Sequence, residues 1–220
     1  MVDETLAATR FIDKDDPFVS AFAARHAGTG TDRTKAVNLY YAVRDAVAYD
    51  MRTFGLDEEQ YVASNVLQTP SAFCVPKAVA LAAVARAAGI PSKVGFANVR
   101  NHLTSPRLAA LMDDDTFYWH AYTSLFIDGK WVKATPAFDI GLCERHGVRP
   151  LEFDGREDSI FHPYDGEGRL YMEYVAFIGE FADMPYEAFA SEMRLRHPLM
   201  LEGMEQDRRR AAADQARHPN

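Results

Sequence analysis

The chain has little cysteine: two residues in 220, Cys74 and Cys143. Two thiols exclude a disulfide framework. The N-terminal stretch "MVDETLAATRFIDKDDPF" has no basic start followed by an apolar run, so it does not read as a signal peptide. Two free thiols in a reducing cytoplasm are therefore expected. No run of about 18 apolar residues occurs, so neither a transmembrane helix nor a membrane partner is expected. Positive charge is also scarce. Lys and Arg number 24 against 32 Asp and Glu, a net charge of -8, which argues against a nucleic-acid partner. The locally basic "DRRR" at Asp207 to Arg210 reads as a solvated helix end. Metal-ligand spacings are missing too. His102, His120, His146, His162, Cys143 and the acidic run Asp113 to Asp115 make neither Cys-x-x-Cys nor His-Glu-x-x-His, and the glycines make no phosphate loop. No metal and no cofactor are expected.

The chain does have core material, 48% hydrophobic and 12% aromatic, enough for one good-sized domain. Asp16 and Pro17 open a short helix that Gly28 and Gly30 close. Val37, Tyr40, Tyr41, Val43 and Val47 have helical spacing. A third helix runs from about Val75 to Ala88, with Pro76 in its first turn and Gly89 just past its end. "SKVGFANV" reads as a strand. A short helix is expected near Pro106. "YWHAYTSLFIDGKWVKATPAF" places two apolar runs around Asp128-Gly129, the preferred pair for a type I′ hairpin turn. "GRLYMEYVAFIGEF" reads as a further strand facing the core, and a C-terminal helix breaks near Pro198. Helices first and an antiparallel sheet later predict an α+β fold.

Three residues combine into chemistry. Cys74 stands at a helix N-terminus, where free backbone N–H groups and the helix dipole favour a thiolate. His120 lies on the first hairpin strand and Asp139 just past the second. A Cys nucleophile, a His base and a carboxylate that orients the His are the parts for acyl transfer through a thioester. With Asp128 and Gly129 as the turn, Ile127 pairs with Lys130, and counting back pairs His120 with Ala137. Thr135 and Asp139 are then the diagonal neighbours on the face of His120. Asp139 is the better orienter, because a carboxylate stabilises an imidazolium. Taken singly, each residue also has a plain reading: Cys74 as a buried core thiol, His120 as a satisfied core residue, Asp139 as a cap. Cys143 reads as core packing.

The motifs together resemble the transglutaminase-like superfamily. "LAAVARAAGIPSKV", with Gly89-Ile90-Pro91 fifteen residues after Cys74 and leading into a strand, is similar to the family core. So are "HAYTSLFIDGKWVKATP" and the upstream "VRDAVAYD", and the resemblance covers about residues 35 to 140. It implies a papain-like catalytic core, a nucleophile helix packed on an antiparallel β-sheet. This core would occupy residues 1–150 with the N-terminal helices, and residues 151–220 would be a C-terminal extension packed on the same domain. Cys74 and His120 match the family positions. The family's Asp precedes Pro, whereas here Thr135 precedes Pro136, so the third member is expected at Asp139 or Thr135. Gln68, six residues before Cys74, has the offset at which papain-like proteases place an oxyanion donor.

The activity implied is a cysteine-nucleophile acyl transfer on a peptide, protein or small amide substrate. Water as acceptor gives a protease or amidase, and an amine gives a transglutaminase. Bacterial proteins resembling this one point to hydrolysis. The alternative is a binding or scaffold module that kept the fold and lost the activity. The oligomeric state is left open by the sequence.

Overall fold

The computed structural model describes residues 3–101, 110–112, 115–160 and 172–217. His102, His162, the acids Asp113 and Asp114, and the short helix expected to start near Pro106 lie outside the described residues. Three helices come first: α1 (Pro17–Ala27), α2 (Asp32–Ala46) and the single turn α3 (Ala63–Val66). Asp16 caps α1 as its composition predicts, its carboxylate accepting from the amides of Phe18 and Val19. Between α2 and the next helix, two short strands pair in parallel, β1 (Ala48–Tyr49) with β2 (Ser71–Ala72). No periodicity announces these two-residue strands, yet they bring Tyr49 beside the chain just ahead of Cys74.

Helix α4 (Cys74–Ala87) is the centre of the molecule. Every residue from Val75 to Arg86 is buried. An alanine-rich helix that is apolar all round suits burial on all sides. Its two charged residues are satisfied by carbonyl oxygens. The Lys77 ammonium donates to the carbonyls of Arg44 and Val47 at the C-terminal end of α2. The Arg86 guanidinium donates to the carbonyls of Ala7, Ser92 and Ala182 and so ties two distant segments to the start of β3. Gly89, at φ +84°, closes the helix in the left-handed region that glycine adopts without a Cβ clash.

Against α4 lies a four-stranded antiparallel sheet in the order β5-β4-β3-β6, with β3 Ser92–Asn101, β4 Thr116–Ile127, β5 Lys130–Ala134 and β6 Met172–Phe181. This is an α+β fold with a helix packed on an antiparallel sheet. The hairpin forms as the Asp-Gly turn predicts, with φ +50° at Asp128, +83° at Gly129, and Ile127 opposite Lys130. Three helices complete the described chain: α5 (Ile140–His146), α6 (Tyr186–Arg196) and α7 (Pro198–Arg217). The break between α6 and α7 falls at His197-Pro198. Strand β6, which comes from residues after 150, joins the sheet as the neighbour of β3. No helix among the described residues is long and apolar enough to cross a membrane.

Candidate active site

Cys74 is the first residue of α4. Phe73 ahead of it is extended and fully anchored, its ring edge-on to Phe54 at 5.3 Å and to Tyr61 at 5.9 Å. No side chain caps this helix end, so its first amides are available. The thiol is half-buried, packed between the main core and a smaller cluster of Val99, Ala137, Leu151 and Met172. Burial pushes the Cys74 thiol up to about 11, against the pull of the backbone N–H groups of Ala121, Val75 and Cys74 itself. The N–H of Ala121 places the sulfur beside the strand residue that follows His120.

His120 is buried, and that burial drives its imidazole down to about 3. Cys74 and His120 line one cavity of about 50 Å³. Its walls include Tyr49, Phe117, Tyr118 and Phe138, with Met193 and Met200 from the C-terminal helices and His197 from the break between them. The strand reaches this point through a bulge. One extra residue of β4 is inserted opposite Asn98, between the pairs Ala97–His120 and Val99–Phe117. Trp119 takes φ +58° there, in the left-handed region, and its N–H donates to the Asn98 amide oxygen at 3.2 Å. The Trp119 ring turns to the core against Phe96, at 5.1 Å between ring centroids, while Tyr118 and His120 face the cavity. Bulges bend a strand and re-aim its side chains, and backbone strain in such places is common at functional sites.

The expected register beyond the hairpin does not form. The β4–β5 ladder stops at Thr123 opposite Ala134. The N–H of Thr135 donates to the Ser159 carbonyl instead, and Pro136 has no N–H to give. His120 therefore does not pair with Ala137. The Thr135 hydroxyl is buried without a hydrogen-bond partner among the described residues. Asp139 becomes the N-cap of α5, its carboxylate accepting from Leu142 N at 2.9 Å and from Tyr49 N at 2.7 Å. Burial pushes its carboxyl up, but those two amides and the nearby Lys77 charge outweigh it and hold the group below its usual range. Among the described residues no hydrogen bond joins Asp139 or Thr135 to His120, or Cys74 to His120. What Asp139 does hold is a cavity wall. It fixes the Tyr49 backbone, and the neighbouring Phe138 ring stands edge-on to Tyr49 at 4.8 Å.

Gln68 is not brought to the cavity. Its side chain is exposed and its amide donates to the Ser64 carbonyl one turn back. Cys143 is buried in α5, where burial raises its thiol; both cysteines are free. His146 is exposed. Among the described residues no group of three or more His, Cys, Asp or Glu is placed to hold a metal ion. Sequence reasoning missed His197, which is buried against Tyr118 at 5.5 Å between ring centroids. Its only local signal is the His-Pro between two helices, and that says nothing about where the loop docks.

A family model described as the transglutaminase-like superfamily matches residues 20–136. No curated protein matches the chain. Among solved structures, one similar protein is from Cytophaga hutchinsonii, described as "a Putative Cysteine Protease", at 18% identity and a TM-score of 0.45. The likeness covers 60% of this chain and 40% of that one.

Proposed function

We propose that this chain, which belongs to the transglutaminase-like superfamily, is a cysteine-nucleophile acyl-transfer enzyme that hydrolyses amide or peptide bonds through a thioester on Cys74. The observation that carries the reading is the cavity shared by a helix-N-terminal thiol and a buried imidazole. Both groups rest neutral at pH 7, because burial raises one and lowers the other. His120 then acts as general base at the moment of attack rather than as half of a standing ion pair. The proton leaves Cys74 for His120 as Sγ bonds to the substrate carbonyl carbon. The uncapped amides at the start of α4 face the developing oxyanion. His120 returns the proton to the leaving amine, the C–N bond breaks, and a thioester remains. Water, deprotonated by His120, attacks the thioester to release an acid and restore the thiol. In this scheme Asp139 is a positioning residue acting through Tyr49 and Phe138, and the oxyanion donor expected of Gln68 is replaced by backbone. Two free thiols suit the cytoplasm as the proposed compartment.

A scaffold without activity is the rival reading, and one observation favours it: the Asp139 carboxylate is taken up by the amides of Tyr49 and Leu142. Acylation by p-nitrophenyl acetate separates the two. The expected result is a burst of p-nitrophenol with one acetyl group mapped to Cys74, absent in Cys74→Ala. His120→Ala should slow the burst by ~10²–10⁴, the usual contribution of a general base. An unmodified Cys74 in folded protein would leave the scaffold reading in place.

A further inference from the structure

The walls of the Cys74–His120 cavity are uneven in origin. Tyr118 and His120 lie on β4, within the segment the family model matches. Met172, Met193 and Met200 come from β6, α6 and α7, and His197 from the break between the two helices, all beyond residue 136. Those later elements are firmly seated. Met193 and Met200 are buried, and Arg208 of α7 donates to the Phe54 carbonyl at 2.6 Å. The wall is mostly apolar, four methionines and two phenylalanines beside the imidazoles of His120 and His197 and the rings of Tyr49 and Tyr118. Among the described lining residues there is no Lys, Arg, Asp or Glu. A charged substrate group entering here would lose its water and meet no Lys, Arg, Asp or Glu among those described residues, which is costly. Methionine side chains are unbranched and adaptable, and they mould to irregular aliphatic groups. The cavity is also small. A water needs about 10–15 Å³ of such space, so about 50 Å³ takes three or four heavy atoms, the size of one leucine-like side chain.

We infer that the cavity is an acyl-group pocket, its wall supplied by the C-terminal elements β6, α6 and α7, that selects substrates carrying a single uncharged, leucine-like aliphatic group of about four carbons on the carbon next to the scissile carbonyl. The inference rests on Cys74 being the acylated residue. It makes the C-terminal elements the specificity wall of the enzyme, and it sets the substrate apart from acyl donors with charged side chains. Acylation by an ester of such a group forms the Sγ–acyl carbon bond and breaks the acyl C–O bond. The thiol proton passes to His120.

Two measurements test it. In the first, Cys74→Ala protein with isotope-labelled methionine methyls is titrated with 4-methylpentanamide, acetamide and succinamate. The 4-methylpentanamide is expected to shift the methyl signals of Met193 and Met200 in a saturable way, and succinamate is expected to leave them in place. Unmoved signals, or equal shifts from succinamate, overturn the pocket whatever Cys74 does. In the second, wild type is acylated with p-nitrophenyl esters of the same three acids, each rate divided by that of free cysteine. The 4-methylpentanoyl ester should lead the acetyl ester by at least ~10-fold, with the succinyl ester slowest. Met193→Phe, which fills the cavity, should shrink that lead. Equal rates at an acylated Cys74 overturn the inference and leave the enzyme reading intact. Saturable binding in the first measurement with no acylation in the second keeps the pocket and removes the enzyme.

Discussion

At the scale of the residue, two opposing effects act on Cys74, and their sizes decide between them. The N-terminus of a helix stabilises a nearby anion by roughly 0.3–1 kcal/mol. One pKa unit is about 1.4 kcal/mol, so that effect is worth less than one unit. Burial disfavours the charged form and, net of that pull, leaves the thiol near 11. Burial therefore wins, and the activated thiolate expected from helix position alone is not the resting state. Proton transfer within the cavity makes a thiolate and an imidazolium together, and their mutual attraction offsets much of what burial costs each alone. The measurable consequence is a pH profile. Alkylation of Cys74 by iodoacetamide should rise ~10-fold per pH unit from pH 7 to 10, since a thiol held near 11 is a small fraction thiolate throughout. A rate already level at neutral pH would show a preformed ion pair instead.

At the scale of the element, strand β4 depends on irregularities that its alternating pattern does not announce. The bulge at Tyr118 and Trp119 sets the direction of His120, and Asn98 on β3 supports it from across the ladder. A second device lies three residues back on β3. Gly95 pairs with Tyr122, and a Cβ at position 95 would come within 2.2 Å of the Tyr122 ring. The ring covers the backbone of β3 and meets Phe177 of β6 at 6.0 Å, linking three strands on one face. Gly95→Ala should destabilise the protein by ~1–3 kcal/mol, the usual cost of overpacking. The penalty should shrink in a Tyr122→Ala background, which removes the obstructing ring. Urea unfolding of the four proteins in the cycle checks this. An equal loss in both backgrounds would mean that the ring is not the obstacle.

Over the whole molecule, the buried imidazole ties stability to acid. The folded pKa of His120 is about 3, against about 6.5 when exposed. Between those values the unfolded chain binds a proton that the folded protein refuses. Its contribution is therefore complete above pH 6.5 and is lost as pH falls toward 3, by up to ~1.4 kcal/mol per pH unit. His120→Phe removes that proton site while keeping an apolar ring. The loss of stability between pH 7.5 and 4.5, followed by urea midpoints, should be smaller in the variant than in wild type. Equal losses would mean that His120 is not held neutral by the fold. The carboxylates that the fold depresses, such as Asp50 and Asp139, lose stability in the same direction but are common to both proteins.

Legibility follows the range of the interactions. The Asp16 cap, the Asp-Gly turn with its Ile127–Lys130 pair, the Gly89 stop after α4 and the break at Pro198 are decided within a few residues, so the sequence alone determined them. The same holds for Cys74 at a helix start and His120 on a strand, since cap and alternation patterns are local. Only the tertiary structure decided where β5 leaves the ladder, because the Thr135 N–H had a choice between the hairpin and the distant Ser159 carbonyl. It also decided that Asp139 would cap α5 and bond Tyr49, and that Gln68 would turn back to Ser64. His197, Met193 and Met200 reach the cavity through packing over more than seventy residues of chain, and no pattern short of the folded core encodes that distance. The thiol and imidazole pKa values belong to the same class, since burial is a property of the surroundings and not of the residue.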